Sequence, residues 1–268
     1  MIAGSALAAA WSGTVSAARL TRIGLQMRTL GDASGDLGAD LQAVAAQGYR
    51  EIEVWTPDGA VVDVPRLRAG LDRAGLSAPS RHVRMPDLFM NARRILGECQ
   101  LLGCRHVVCA EVPQEQRQSL DGYARVAQLL NAAGKLTASA GIQLSVHPHR
   151  DDFTLRGGVM PYEYLLRNTD ARLVTMQMDL ALLSQAGRNP ATELGQNPGR
   201  FPTIHVNDIE RAPGQMPVTL GEGRIDLAGV IAAANRAGVQ YYFIEDVRPG
   251  LPWDRIKADF AYLSRLEF

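Results

Sequence analysis

The stretch SAGIQLSVH, residues 139–147, contains the pattern that decides the fold. A helix-forming segment ends near Ala140, Gly141 supplies the left-handed residue that commonly follows a helix, and a mostly apolar run leads to His147. Similar phrases surround four other glycines, which are Gly48, Gly75, Gly103 and Gly238. A unit of helix, glycine and short buried strand therefore repeats along the chain.

The repeat divides the chain into eight strands and eight helices. Each predicted strand is a run of four to six residues, mostly rich in β-forming residues, as expected of strands buried on both faces. The predicted strands are residues 23–27, 51–54, 78–83, 106–110, 143–147, 173–178, 203–206 and 241–245. The predicted helices are residues 37–47, 65–74, 86–102, 119–140, 161–168, 190–197, 227–237 and 252–266. Several helices begin with proline and end at glycine, which is the usual asymmetry of helix ends.

Strands that alternate with helices form a parallel sheet, and eight of them close naturally into a barrel. A chain of 268 residues, 46% of them hydrophobic, suffices for one such domain. A doubly wound open sheet is the alternative, but no Gly-x-Gly-x-x-Gly or P-loop motif follows any strand. We therefore predict an α/β fold, a single (β/α)8 TIM barrel over residues 22–268, after a lead-in of residues 1–21.

The composition and the N-terminal residues indicate the kind of binding partner and the cellular location to expect. The 28 basic and 28 acidic residues give a formal net charge of +0, so we expect a small molecule as partner rather than nucleic acid or a membrane. Residues 1–18 resemble the apolar part of a secretion signal with small residues at 15–17, although no basic residue precedes them. Two expectations follow: export to the periplasm, or a cytoplasmic protein with a simple lead-in. The sequence is also compatible with a homo-oligomer.

Polar side chains gather where the predicted strands end, which is where barrels of this kind build their active sites. Four of the five histidines fall there together with several carboxylates. These residues are Glu53, His82, His147, His149, Asp152, Asp179, His205 and Glu245. Carboxylates and imidazoles brought to one mouth are typical ligands of a divalent metal ion. We therefore predict one such ion, Mn²⁺, Mg²⁺, Co²⁺ or Zn²⁺, as cofactor.

Each of these residues also has a structural interpretation. A charged group that ends an apolar strand is costly to bury unless it is paired or metal-bound, which favours a functional role for Asp179, His205 and Glu245. His147 and His149 alternate along an extended segment, so both side chains can reach the mouth. Asp152, in contrast, can equally cap the following turn.

Four residues at the mouth are candidates for contact with substrate: Trp55, His82, Asn207 and Arg248. Ordinary loop packing is the alternative for Trp55 and Arg248. Glu53 and His82 can instead hydrogen-bond to the metal ligands and orient them.

Eight short segments occur in an order that is typical of one family. They are IGLQ at 23–26, GYREIE at 48–53, HPH at 147–149, QMDL at 177–180, PGRFP at 198–202, HVND at 205–208, LGEG at 220–223 and YYFIE at 241–245. On these segments the chain resembles the sugar phosphate isomerase/epimerase group of xylose isomerase-like barrels. The resemblance runs from residue 23 to about residue 266.

The resemblance implies a metal held by a carboxylate from strand five, an aspartate from strand six, a histidine from strand seven and a glutamate from strand eight. By position these are Asp152 (or His147), Asp179, His205 and Glu245. The implied reactions are isomerisation, epimerisation, elimination or hydration of a keto sugar or sugar derivative, 3-keto-glycosides among them.

Three residues depart from close relatives of that group. Asp152 stands where they carry glutamate, Asn207 where they carry lysine, and Leu182 where they carry an aromatic residue. The absence of the lysine removes a cation that could stabilise an oxyanion or anchor a substrate. The exact reaction therefore stays open at the level of sequence.

The chemistry expected of such a site is removal of a proton next to a carbonyl that the metal polarises. The base would be Glu245, Asp152 or His147, with His149 or Glu53 as the partner acid. The departures leave a non-catalytic sugar-binding barrel as the main alternative. A phosphodiesterase or endonuclease is less favoured, because the chain offers few histidines for a metal cluster and no excess of basic residues for DNA.

Overall fold

The computed structural model describes residues 18–31, 35–56, 62–211, 215–248 and 252–268. Within these ranges eight parallel strands form a closed barrel in the order β1-β10-β7-β6-β5-β4-β3-β2. The barrel strands are β1 (Gly24–Gln26), β2 (Glu51–Val54), β3 (Ser77–Arg84), β4 (His106–Glu111), β5 (Gln143–Val146), β6 (Val174–Asp179), β7 (Thr203–Val206) and β10 (Tyr241–Ile244). A short antiparallel hairpin, β8 (Asp208–Ile209) with β9 (Pro217–Val218), follows β7. The predicted TIM barrel is confirmed.

The helices surround the barrel. They are α1 (Leu37–Gln47), α2 (Val64–Ala74), α3 (Met85–Met90), α4 (Ala92–Leu102), α5 (Leu120–Ser139), α6 (Pro161–Asn168), α7 (Leu180–Gln185), α8 (Pro190–Gln196), α9 (Leu227–Ala237) and α10 (Trp253–Leu263). Short 3-10 helices cover Met27–Leu30, Gln114–Gln118 and Arg150–Phe153. The expected glycine stops are confirmed for α1, α2, α4 and α9, whose C-caps are left-handed glycines.

Two local predictions were wrong. The helix predicted for residues 86–102 is two helices, because Asn91 between them leaves the helical conformation, with φ of −127°. The sequence also did not indicate α7, which begins directly after β6 without a loop. The Asp179 carboxylate caps α7 by accepting a hydrogen bond from the Leu182 N–H at 2.8 Å. Because α7 has only six residues, it is too short to show helical periodicity.

The two faces of the barrel strands differ in polarity. Outward-facing residues such as Ile52, Leu144 and Ile204 are fully buried in the apolar layer between strands and helices. The residues that alternate with them point into the barrel, and many are buried polar groups: Glu53, Ser80, Ser145, Gln177, Thr203 and His205. The barrel interior therefore contains a layer of hydrogen-bonding side chains beneath the strand ends.

The first described residue, Ala18, lies beside the C-terminal residue, Phe268. Residues 1–17, which include the predicted signal-like segment with its small residues, lie outside the described residues. Ala18 forms two backbone hydrogen bonds with Phe268, at 3.1 and 3.0 Å, and Arg19 forms an ion pair with Glu267. The end of the lead-in is thus joined to the C-terminus, and the boundary at residue 22 stays a prediction. Among the described residues, no helix combines the length and apolar character needed to cross a membrane.

Candidate metal and substrate site

A cavity of about 620 Å³ opens at the carboxyl ends of the barrel strands. Seven of the residues predicted for the site contribute to its lining: Trp55, His82, His147, His149, Asp179, Asn207 and Glu245. They come from the ends of different strands, which the closed barrel brings to one rim. The cavity is large enough for a monosaccharide-sized ligand.

Three potential metal ligands lie together at this end of the barrel, and two of them, Asp179 and Glu245, line the cavity. One ligand atom from each of Asp179, His205 and Glu245 lies within 4.8 Å of the other two. His205 Nδ1 is 3.2 Å from Glu245 Oε2 and 3.8 Å from Asp179 Oδ2. Strand pairing explains this, because Asp179 and His205 are direct partners in the β6–β7 register and Glu245 follows neighbouring β10. Two carboxylates and an imidazole form a donor set that fits a divalent metal ion.

Glu53 lies beneath the ligand group. Its Oε2 accepts hydrogen bonds from His205 Nε2 at 2.5 Å and from His82 Nε2 at 3.0 Å. Its Oε1 accepts hydrogen bonds from Ser80 Oγ at 2.6 Å and from Gln177 Nε2 at 2.7 Å. Burial opposes ionisation of Glu53, but the charges of His82 and His205 outweigh it and hold the pKa of Glu53 well below its usual value. Glu53 is therefore ionised and holds the His205 ring in place through this hydrogen bond.

This position favours the alternative given for Glu53, a hydrogen bond that orients a metal ligand, over the role of partner acid. Its side chain is fully buried and does not contribute to the cavity lining, so it does not face a substrate. A histidine that donates one ring nitrogen's proton to a carboxylate presents the other nitrogen to a metal in a fixed orientation. The structure favours that role for Glu53.

Gln177 is a residue of the site that the sequence analysis missed. Besides donating to Glu53, its amide accepts hydrogen bonds at Oε1 from His82 Nε2 at 2.9 Å and from His147 Nδ1 at 3.0 Å. Gln177 is fully buried and lies two residues before Asp179 on β6. The available signal was a polar residue in the middle of an apolar strand.

The histidines of the site differ in their protonation. Burial lowers the pKa of His147 well below its usual value, and the neighbouring rings of His205 and His82 lower it further. Burial likewise lowers the pKa of His149. For His205, burial acts in the same direction, but Glu245 and Glu53 outweigh it and raise the pKa well above the usual value. Without a metal, His205 is therefore protonated at neutral pH, whereas His147 and His149 are neutral.

Asp152 lies elsewhere than the resemblance implied. Its Oδ1 accepts a hydrogen bond from the Tyr123 hydroxyl at 2.5 Å, and its Oδ2 accepts one from the His149 N–H at 2.7 Å. Both oxygens thus stabilise the short 3-10 helix after β5, and Asp152 belongs to neither group of close ligand atoms found among the described residues. His147, the alternative, has a ring nitrogen within 4.8 Å of those of His82 and His205.

Asn207 and Arg248 are engaged by protein groups. Asn207 Oδ1 accepts a hydrogen bond from the Ala181 N–H at 2.7 Å, and its Nδ2 donates to Asp179 Oδ2 at 3.1 Å. Asn207 therefore orients a predicted metal ligand. The Arg248 guanidinium pairs with Asp246 at 2.6 Å and is not among the residues that line the cavity, so its contact with substrate stays a prediction.

Comparison with known proteins assigns the chain to a family. A family model described as xylose isomerase-like TIM barrel matches residues 41–266. The chain belongs to this family. A search of curated protein sequences gave no match.

Solved structures share the fold of this xylose isomerase-like barrel. A sugar phosphate isomerase/epimerase from Parabacteroides distasonis is 21% identical with a TM-score of 0.78, over 94% of this chain and 96% of that one. An IOLI protein with a bound zinc atom is 17% identical with a TM-score of 0.72, over 89% and 95%. A xylose isomerase-like TIM barrel protein from Mycobacterium smegmatis in complex with magnesium is 17% identical with a TM-score of 0.67, over 91% and 96%. At these identities the likeness shows the fold.

Proposed function

We propose that this barrel is a divalent-metal-dependent enzyme acting on a keto sugar or sugar derivative, 3-keto-glycosides included, by isomerisation, epimerisation, elimination or hydration. One observation carries the proposal: Asp179, His205 and Glu245 present close ligand atoms, and Asp179 and Glu245 line a cavity at the strand ends. The similar fold of a sugar phosphate isomerase/epimerase, and of barrels that hold zinc or magnesium, supports it.

Asp179, His205 and Glu245 would hold the ion, and Glu53 and Asn207 would keep His205 and Asp179 in position. When bound, the metal would act as a Lewis acid that polarises a substrate carbonyl and makes the neighbouring C–H acidic. The substrate would bind in the cavity with its carbonyl toward these residues.

Glu245 and His149 are the groups to which we assign proton transfer. Both line the cavity. Burial opposes ionisation of Glu245, but His205 outweighs it and lowers the pKa of Glu245, so this side chain is an ionised base. Burial lowers the pKa of His149, so its ring is neutral, and its remaining N–H would supply the returning proton as the partner acid. General acid–base catalysis of this kind contributes about 10²–10⁴-fold.

The direction of proton return decides the product. Return to the opposite face of the same carbon gives an epimer, and return to the neighbouring carbon gives an isomer. Loss of a β-oxygen after proton removal gives an elimination product. All three outcomes need the same two protein groups, so the geometry supports the reaction class rather than one product.

The first test is elemental analysis of the purified protein and of its Asp179→Ala and His205→Ala variants. We expect about one ion per chain in the parent after incubation with a mixture of Mn²⁺, Co²⁺, Zn²⁺ and Mg²⁺, and loss in both variants. Asp151→Asn is the matched control, because this exposed carboxylate pairs with Arg117 outside the ligand group. Equal metal content in all four proteins would contradict the proposal.

The second test is turnover. The metal-loaded protein is screened against keto sugars and 3-keto-glycosides, and a chelator-treated sample should be inactive until metal is restored. Full activity without metal would refute metal dependence. Sugar binding without turnover would favour the non-catalytic alternative, and salt-sensitive binding of duplex DNA would favour the endonuclease alternative.

A further inference from the structure

The orientation of the Gln177 amide follows from its neighbours. Its Nε2 lies 2.7 Å from a carboxylate oxygen of Glu53, which can only accept a hydrogen bond. The amide oxygen must therefore face the other way, toward the two nitrogens at 2.9 and 3.0 Å that belong to His82 and His147. An amide oxygen only accepts, so the buried Gln177 requires a proton on each of these nitrogens.

The consequence for His147 is a defined tautomer. Its Nδ1 carries the proton that it donates to Gln177, so Nε2 of the neutral ring holds a free lone pair. No hydrogen bond to Nε2 occurs within the described part of the chain. His147 lines the cavity, and its ring centroid is 4.9 Å from that of His205. The ring that carries this free nitrogen therefore lies beside His205, one of the three ligands.

The same loop offers Asp152 as the competing ligand, but protein groups hydrogen-bond to both of its carboxylate oxygens. Its two oxygens accept hydrogen bonds from the Tyr123 hydroxyl and the His149 N–H, and only 5% of the residue is exposed. Asp152 also belongs to neither group of close ligand atoms among the described residues and does not line the cavity. His147, in contrast, lines the cavity next to the His205 ring.

We propose that His147 completes the metal site through Nε2 and that Gln177 is a positioning residue that sets its tautomer. The inference rests on the proposed function, because it concerns the same metal. With His147 and His205 the donors are two imidazole nitrogens and two carboxylates. Imidazole suits Zn²⁺ and its neighbours, whereas Mg²⁺ takes oxygen ligands, so we expect this site to bind Zn²⁺ and Co²⁺ more tightly than Mn²⁺, and Mg²⁺ most weakly.

The first experiment is calorimetric titration of the metal-free protein with Zn²⁺, Co²⁺, Mn²⁺ and Mg²⁺. We expect affinity in the order Zn²⁺, Co²⁺, Mn²⁺, with Mg²⁺ weakest. His147→Ala should weaken Zn²⁺ binding by at least about 10-fold, and His147→Glu should lower the preference for Zn²⁺ over Mg²⁺ by a similar factor. Asp152→Asn is the discriminating variant and should retain Zn²⁺ affinity within about 3-fold.

The second experiment measures the tautomer directly, without metal or activity. Long-range ¹H–¹⁵N correlation spectra of the metal-free protein should show His147 protonated at Nδ1. Gln177→Met removes the amide oxygen, and we expect loss of that tautomer and about 10–100-fold weaker Zn²⁺ binding. Gln185→Met is the control, because this glutamine lines the cavity and bonds to Arg150 instead.

The outcomes separate this inference from the function on which it rests. If the parent binds metal and Asp179→Ala abolishes binding, but His147→Ala retains affinity, the inference fails and the proposed function stands. A proton on His147 Nε2 in the metal-free protein, or loss of Zn²⁺ binding in Asp152→Asn with the fold intact, would also overturn it. If neither the parent nor any variant binds a divalent ion, the proposed function itself fails.

Discussion

Replacement of Glu53 by glutamine tests the buried network under the site. The side chain keeps its size, but one acceptor oxygen becomes an NH₂ donor. Two of the four donors around Glu53, either the pair of His82 and His205 or the pair of Ser80 and Gln177, would then face another donor. Each unsatisfied buried group costs about 1–3 kcal/mol, and breaking a buried ion pair costs about 3–5 kcal/mol.

We therefore expect Glu53→Gln to lower the free energy of unfolding by about 3–5 kcal/mol, which corresponds to a Tm lower by about 6–20 °C. Urea denaturation at pH 7, followed by circular dichroism, measures the loss. Glu51→Gln is the control on the same strand. Glu51 bonds to the largely exposed Arg22, and burial raises the pKa of Glu51, so its neutralisation should cost less than about 1 kcal/mol. Equal urea midpoints for the two variants would refute the reasoning.

Three further predictions concern pH and packing. Burial raises the pKa of Asp259 to about 6, so ionisation of Asp259 destabilises the fold as pH rises from about 4 to 6. Asp259→Asn should therefore raise the free energy of unfolding by up to roughly 3 kcal/mol at pH 8 and by little at pH 4, as measured by urea midpoints. Metal binding should release about one proton from His205, measured by calorimetry in buffers of different ionisation heat; heats independent of the buffer would contradict this. A Cβ at Gly24 would lie 2.4 Å from Phe243, so Gly24→Ala should cost about 1–3 kcal/mol, and an unchanged Tm would contradict it.

The local signals in the sequence were reliable wherever one element determines its own structure. Asp226, for example, is an aspartate directly before a helix and caps α9, because its carboxylate accepts a hydrogen bond from an N–H three residues later. Gly141 adopts the left-handed conformation with φ of 72°, as the helix-stop pattern predicts. These features depend only on residues a few positions apart, so one sequence is enough to predict them.

The roles of single site residues depended on contacts that are distant in sequence. Asp152 is 29 positions from Tyr123, and Gln177 is 124 positions from Glu53. A strand-end carboxylate looks the same in sequence whether it faces a metal or a tyrosine hydroxyl. The sequence alone therefore leaves both Asp152 and His147 open as the ligand from strand five, because their contacts depend on residues distant in the chain.

Helix stops, strand runs and strand ends are local patterns, so the eight-strand barrel and the acids and imidazoles at its mouth could be predicted from the sequence. Which of those side chains meet depends on how the strands pair around the barrel. Closure of the barrel sets the register that places Asp179 beside His205, and it brings the Glu53 carboxylate under the His205 ring. A group that faces the cavity can act on a substrate. A group such as Glu53, whose oxygens accept hydrogen bonds inside the barrel, can only orient the residues that do.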